Sequence, residues 1–271
     1  MWQDQWQAVA VPTLQVALVQ RAASLDAAQN RDALDVLAEL ATREPRPELV
    51  VFPEAFQRDF GSPGSDVSPY AEELDGPFVA RVEELAKAHD VTVVAGMFER
   101  SADPLRPYNT LVVVDRDGLR ASYRKIHLYD SFGYKESDRL LAGEVAPLCV
   151  QVGDFSVGLM TCYDLRFPEL ARRLAEQGAE LLVVPAAWVA GPRKVDHWRT
   201  LLRARAIENT VYVAAAGQSG PRYSGHSMVV GPMGEVLAEA AEADTVVAAE
   251  VGRDVLSRAR AQNPSLDNRR F

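Results

Sequence analysis

Residues 155–184 read FSVGLMTCYDLRFPELARRLAEQGAELLVV. The apolar run from Phe155 to Met160 has the length and composition of a buried strand. A polar turn follows, and a helix is expected from about Phe167 to Gln177. Leu181 to Val184 is a second apolar run. Strand, helix and strand in close succession describe an α/β unit, in which a helix covers a sheet.

The same alternation extends outward in both directions. Leu14 to Val19, Glu48 to Phe52 and Val91 to Phe98 read as strands. Between them, Ser24 is placed to cap a helix with the stripe Leu34, Leu37, Leu40 and Ala41, and Gly76-Pro77 opens another carrying Phe78, Val82, Leu85 and Ala86. Asn109 to Val114 and Leu119 to Ile126 flank the turn Asp115-Arg116-Asp117-Gly118, which predicts a β-hairpin. Asp130 to Gly143 is polar and reads as a long loop. Val195 to Glu208 predicts a helix with Leu201, Leu202, Ala204 and Ile207 available to a core. Tyr212 to Ala216, Ser227 to Val230, Val236 to Glu239 and Val246 to Val251 are further strands. Parallel-type alternation mixed with hairpins implies partly antiparallel sheets. No Gly-, Ser- or Pro-rich linker divides the 271 residues, so one domain over 1–271 is expected.

Composition narrows the class. Apolar residues make up 48% and charged residues 25%, as in ordinary globular chains. With 29 basic against 38 acidic residues the net charge is −9, which argues against nucleic acid or an anionic membrane as the main partner. The two cysteines, Cys149 and Cys162, form no disulfide framework and fit a reducing cytoplasm. Met1 to Gln7 contains Asp4 and no basic residue, unlike a signal peptide, and no apolar run reaches the ~18–20 residues of a membrane span. The histidines at 89, 127, 197 and 226 stand singly, so neither a metal nor another cofactor is expected.

Three residues stand at the ends of apolar strands. Glu54 follows Val50-Val51-Phe52-Pro53, at the kind of sheet edge where α/β proteins place their sites. Lys125 closes the hairpin strand in Tyr123-Arg124-Lys125-Ile126-His127-Leu128. Cys162 stands between a strand and a helix, where a helix N-terminus favours thiolate. Taken singly, Glu54 reads as a loop acid, Lys125 as a solvated strand end, and Cys162 is balanced between core residue and nucleophile. Cys149, between Leu148 and Val150, reads as core.

Together the three motifs Phe52-Pro53-Glu54, Tyr123-Arg124-Lys125-Ile126-His127-Leu128 and Thr161-Cys162-Tyr163-Asp164 resemble the carbon–nitrogen hydrolases of the nitrilase superfamily. The resemblance runs from about residue 14 to the end, through His197-Trp198, Arg203-Ala204-Arg205-Ala206-Ile207-Glu208-Asn209, Gly225-His226-Ser227 and Asn263 to Arg270. Cys-Tyr-Asp-Leu-Arg-Phe-Pro-Glu-Leu at 162–170 is similar to the Nit branch of ω-amidases and deaminated-glutathione amidases. True nitrilases carry Trp-Glu after the cysteine, which Tyr163-Asp164 does not match.

The resemblance implies a four-layer α-β-β-α sandwich and a homodimer, with the helix from Val195 to Glu208 as an interface element. It implies a thiol-dependent hydrolase that cleaves the C–N bond of a small carboxylate-bearing amide and releases ammonia. Cys162 would be the nucleophile and Glu54 the general base. Lys125 and the backbone N–H of Tyr163 would stabilise the oxyanion. Glu136 matches a second glutamate that orients Glu54 or the substrate amide, although the loop between Lys125 and Glu136 looks shorter than in ω-amidases. Arg166 resembles the arginine that grips a substrate carboxylate, with a structural ion pair as its plainer role. Trp188, His197 and Trp198 are expected to line or support the pocket.

Other readings compete. N-carbamoyl amino acids and simple aliphatic amides are alternative substrates, and acyl transfer to an amine is an alternative outcome. A catalytically silent scaffold of the same fold is a reading of another class. Gly225-His226-Ser227 begins like a serine-hydrolase elbow, but Val229 stands where that pattern needs glycine. A papain-like Cys–His protease would need a different flank around Cys162.

Overall fold

The computed structural model describes residues 11–270. The expectation about Met1 to Gln7 falls outside them. In chain order, β1 (Thr13–Gln20) leads to the short helices α1 (Ala27–Ala33) and α2 (Val36–Leu40), then to β2 (Leu49–Val51) and α3 (Pro77–His89). Next come β3 (Thr92–Glu99), β4 (Tyr108–Asp115) and β5 (Gly118–Arg124), with a two-residue ribbon, β6 (Asp130–Ser131) and β7 (Tyr134–Lys135). The second half holds β8 (Cys149–Val152), β9 (Phe155–Leu159), α4 (Pro168–Glu176), β10 (Leu181–Val183), α5 (Lys194–Asn209), β11 (Tyr212–Ala215), β12 (Met228–Val230) and β13 (Val236–Glu239). Finally β14 (Thr245–Gly252) and α6 (Arg253–Gln262) close the chain.

The strands form two six-stranded sheets, ordered β14-β1-β2-β3-β4-β5 and β13-β12-β11-β10-β9-β8. Each has three parallel strands at its centre, β1-β2-β3 and β9-β10-β11, and antiparallel strands on its flanks. The alternation of side chains along each strand divides its residues between two cores. Leu14, Val16 and Leu18 of β1 join Val157, Leu181 and Val213 of the other sheet in one core. Ala17 and Val19, one residue out of step, instead meet Leu34, Leu37, Phe78 and Val82 of the helical layer. Leu170, Leu174, Trp198 and Leu202 of α4 and α5 cover the second sheet. The architecture is the α-β-β-α sandwich.

Several local expectations need correction. Asp26, not Ser24, caps α1 by accepting from the Ala28 N–H at 2.8 Å, while Ser24 Oγ accepts from the Asp26 N–H. The helix expected after it is interrupted at Leu34-Asp35, although Leu34, Leu37 and Leu40 are all buried. The loop from Asp130 to Gly143 contains the β6–β7 ribbon and a 3₁₀ turn, Glu136–Asp138. On α5 the buried face is Trp198, Leu202, Arg205, Ala206 and Asn209, and Ile207 is exposed. Helix α6 was not signalled, since only Leu256 and Ala259 among its residues are buried.

Candidate active site

The segments that follow β2, β5 and β9 build the site. After β2 the chain runs through Pro53 to Glu54, and the Gln218 amide donates to the Glu54 carbonyl at 2.9 Å, fixing the turn. Lys125 follows β5 directly, its N–H donating to Asn109 O at 2.8 Å. After β9, Cys162 begins a 3₁₀ turn, Cys162–Arg166, that precedes α4. Cys162 has φ +46, in the left-handed region, and its N–H donates to Pro185 O at 2.9 Å. A non-glycine residue held there costs about 1–3 kcal/mol of backbone strain. Asp164 holds this turn: its carboxylate accepts from the Thr161 N–H at 2.9 Å, the His127 N–H at 3.0 Å and the Tyr123 hydroxyl at 2.7 Å. His127 Nδ1 lies 2.7 Å from the same carboxylate, and its ring stacks on Phe167 at 3.8 Å.

Glu54, Lys125 and Glu136 are 1–2% exposed and form one ionic cluster. Lys125 Nζ lies 2.9 Å from Glu54 Oε1 and 2.9 Å from Glu136 Oε2. Glu54 Oε2 accepts from the Ala187 N–H at 2.6 Å, and Glu136 Oε2 from the Tyr129 N–H at 2.5 Å. Asn109, buried within β4, donates from Nδ2 to Glu54 Oε1 at 2.7 Å and weakly to Glu136 Oε1 at 3.4 Å. Glu136 therefore meets Glu54 through Lys125 and Asn109 rather than directly. Asn109 was missed in the sequence; its one signal is a polar amide inside an apolar strand.

Electrostatics follow from this burial. Burial alone pulls the Lys125 ammonium down, but Glu136 and Glu54 overcome it and hold the group well above its ordinary value. Burial pushes the Glu136 carboxyl up, against the pull of Lys125. Burial and then the charge of Glu54 drive the Cys162 thiol well above its ordinary value, with Lys125 opposing them. Burial and Glu54 thus work against the thiolate that a helix N-terminus would favour and push the sulfur toward its protonated form. A neutral thiol beside a carboxylate and an ammonium can react once its proton has an acceptor.

All four residues line one cavity of about 680 Å³. Tyr163, Arg166, Trp188 and Lys194 also line it, as do Tyr129, Phe132 and Tyr134. Tyr163 is the second residue of the 3₁₀ turn, where a backbone N–H has no acceptor within the helix. Arg166 makes no ion pair among the described residues; its guanidinium lies 4.8 Å from the Trp188 ring, with Nε and Nη2 buried and unpartnered. Trp188 packs on Trp198, whose Nε1–H donates to His226 O at 2.8 Å, so Trp198 supports the wall from behind. His197 is not on the cavity wall. Cys149 is half-buried beside Leu174 and away from the site. Among the described residues no group of three or more His, Cys, Asp or Glu is arranged to hold a metal ion, and no helix is long and apolar enough to cross a membrane.

Comparison with known proteins agrees with this architecture. The carbon-nitrogen hydrolase family model matches residues 15–261. A deaminated glutathione amidase of Escherichia coli O157:H7 is 45% identical over 225 residues, spanning 82% of this chain and 85% of that protein. A chloroplastic omega-amidase of Arabidopsis thaliana is 38% identical over 82% of this chain and 63% of its own length. The crystal structure of Saccharomyces cerevisiae Nit3, of the nitrilase superfamily, superposes with a TM-score of 0.84 at 31% identity, covering 96% of this chain and 97% of Nit3. The chain belongs to the carbon-nitrogen hydrolase family, within the nitrilase superfamily.

Proposed function

We propose that this amidase hydrolyses the terminal amide of a small carboxylate-bearing compound through a thioester on Cys162. The observation that carries the reading is that Glu54, Lys125 and Cys162 line the same cavity, with the two charged groups 2.9 Å apart. Glu54 takes the thiol proton as sulfur attacks the amide carbon, and a tetrahedral oxyanion forms. Lys125 and the Tyr163 N–H stabilise that oxygen; one such donor is typically worth about 2.7–4 kcal/mol in the transition state. Glu54 returns the proton to nitrogen, the C–N bond breaks and ammonia leaves. Water then gives a proton to Glu54 and attacks the thioester, and the acid departs as the proton returns to sulfur. Glu136 and Asn109 hold Lys125 and Glu54 in register. The chain 1–271 is proposed to act as one domain. Ile207, beside Gly234, and the exposed Met233 and Val236 offer an apolar face for a homodimer, which light scattering tests.

The unpaired guanidinium of Arg166 supports a carboxylate-bearing substrate over a simple aliphatic amide. The test is mass spectrometry of enzyme quenched during turnover. A gain equal to the acyl group on the Cys162 peptide, absent in Cys162→Ala together with ammonia release, is the expected result. Turnover by Cys162→Ala at the wild-type rate sinks the mechanism. An absence of ammonia from a broad amide panel restores the scaffold reading, and release of carbon dioxide with ammonia would point to N-carbamoyl substrates.

A further inference from the structure

The cavity contains four cations, and two of them are neutralised within the protein. Lys125 lies between two glutamates, and Arg222 pairs with Asp59 at 2.5 Å. Arg166 and Lys194 have no carboxylate partner among the described residues. Lys194 Nζ is 4.4 Å from the centre of the Phe132 ring and 5.6 Å from that of Trp188, and its hydrogen bond goes to the Tyr129 hydroxyl at 3.3 Å. The Trp188 Nε1–H donates to Lys194 O at 2.9 Å, which ties the lysine backbone to the indole that Arg166 covers.

This placement is costly to the free protein. Lys194 is the first residue of α5, the end at which the helix dipole disfavours a cation. Burial and the neighbouring charge of Arg166 pull its ammonium below its ordinary value. Aromatic faces attract the two cations but do not neutralise them. A singly charged ligand would leave one of them uncompensated in a partly desolvated wall, whereas a doubly charged one would satisfy both.

We propose that Lys194 and Arg166 together form a subsite for two negative charges, and that the preferred substrate is an amide whose remaining chain carries two carboxylates. This rests on the amide-hydrolase reading for the reaction but not for the binding. Lys194 is then a specificity-determining residue, and selection for double charge is its role.

The test separates binding from turnover. Valeramide, glutaramate and the monoamide of tricarballylic acid carry no, single and double negative charge on similar chains. Their binding to Cys162→Ala enzyme is measured by calorimetry, alone and combined with Lys194→Met or Lys194→Arg. The doubly charged amide is expected to bind about tenfold or more tighter than glutaramate, as one added charged hydrogen bond would give. Lys194→Met should abolish that step, and Lys194→Arg should retain it. The proposal is overturned by equal binding of the two anionic amides, by no measurable binding of the doubly charged one, by survival of the preference in Lys194→Met, or by one common loss for all three ligands. Failure of wild-type enzyme to release ammonia from any of them counts against the amidase reading, while the calorimetry still decides the subsite.

Discussion

The Tyr123 hydroxyl donates to Asp164 at 2.7 Å, joining the strand that delivers Lys125 to the turn that delivers Cys162. Burial, and then the Asp164 charge, push the Tyr123 hydroxyl well above its ordinary value, so it remains a donor. The bond spans the interface between the two sheets and is shielded from water, since Asp164 is fully buried. Each half of the active site is thus registered against the other by a charge-assisted hydrogen bond.

Tyr123→Phe keeps the ring and removes only this donor. A hydrogen bond to a charged group contributes about 1.5–3 kcal/mol, so urea unfolding should show a loss of that size. kcat should fall with it, because the Cys162 turn loses one of its restraints. Wild-type stability in the variant would mean that Asp164 finds another donor.

A second constraint lies beneath Glu54. A Cβ on Gly96 of β3 would come within 2.4 Å of the Ala55 nitrogen and 2.7 Å of the Glu54 Cα, both backbone atoms. The Gly96 N–H also donates to Pro53 O and its carbonyl accepts from the Gln57 N–H, so strand and turn cannot separate without losing bonds. Gly96→Ala is expected to cost about 1–3 kcal/mol by overpacking and to lower kcat more than it changes KM. A kcat within twofold of wild type would show that the turn yields without moving the carboxylate.

Asn109 offers a subtler test, because its side chain holds Glu54, the proposed base. Asn109→Leu preserves volume and removes the 2.7 Å donor to Glu54. At about 1.5–3 kcal/mol for a bond to a carboxylate, kcat should drop roughly 10- to 150-fold. The check is steady-state kinetics alongside thermal melting. A KM rise with unchanged kcat would reassign Asn109 to substrate binding.

These constraints mark where the sequence was legible. Glu54, Lys125 and Cys162 each follow a strand, but singly they read as a loop acid, a solvated strand end and a residue balanced between core and nucleophile; only the resemblance of their three motifs singles them out. Glu136 could be located only by resemblance, since its loop has no periodicity and its burial comes from Lys125 and the Tyr129 N–H. Lys194, in Pro192-Arg193-Lys194, reads as the solvated start of a helix; of the rings that hold it, Trp188 is six residues earlier but Phe132 comes from a distant loop. The interruption of the first helix at Leu34-Asp35 was hidden because its leucines keep their helical spacing across it.

The sign of the electrostatics gives the sharpest test. In the wild type, burial and then Glu54 push the Cys162 thiol up, and Lys125 pulls the other way. Glu54→Gln removes the negative charge and the base in one step. Its thiol should therefore ionise at lower pH than in wild type, while amide turnover is lost. Lys125→Met should move ionisation in the opposite direction, to higher pH. Thiolate ultraviolet absorbance, taken as the difference from Cys162→Ala, reads both shifts directly. Unfolding cannot mimic this pair, since exposure of the thiol would lower its pKa in both variants. Shifts of the same sign in Glu54→Gln and Lys125→Met would mean that burial, not the ionic cluster, governs the sulfur, and the base assigned to Glu54 would have to be sought elsewhere.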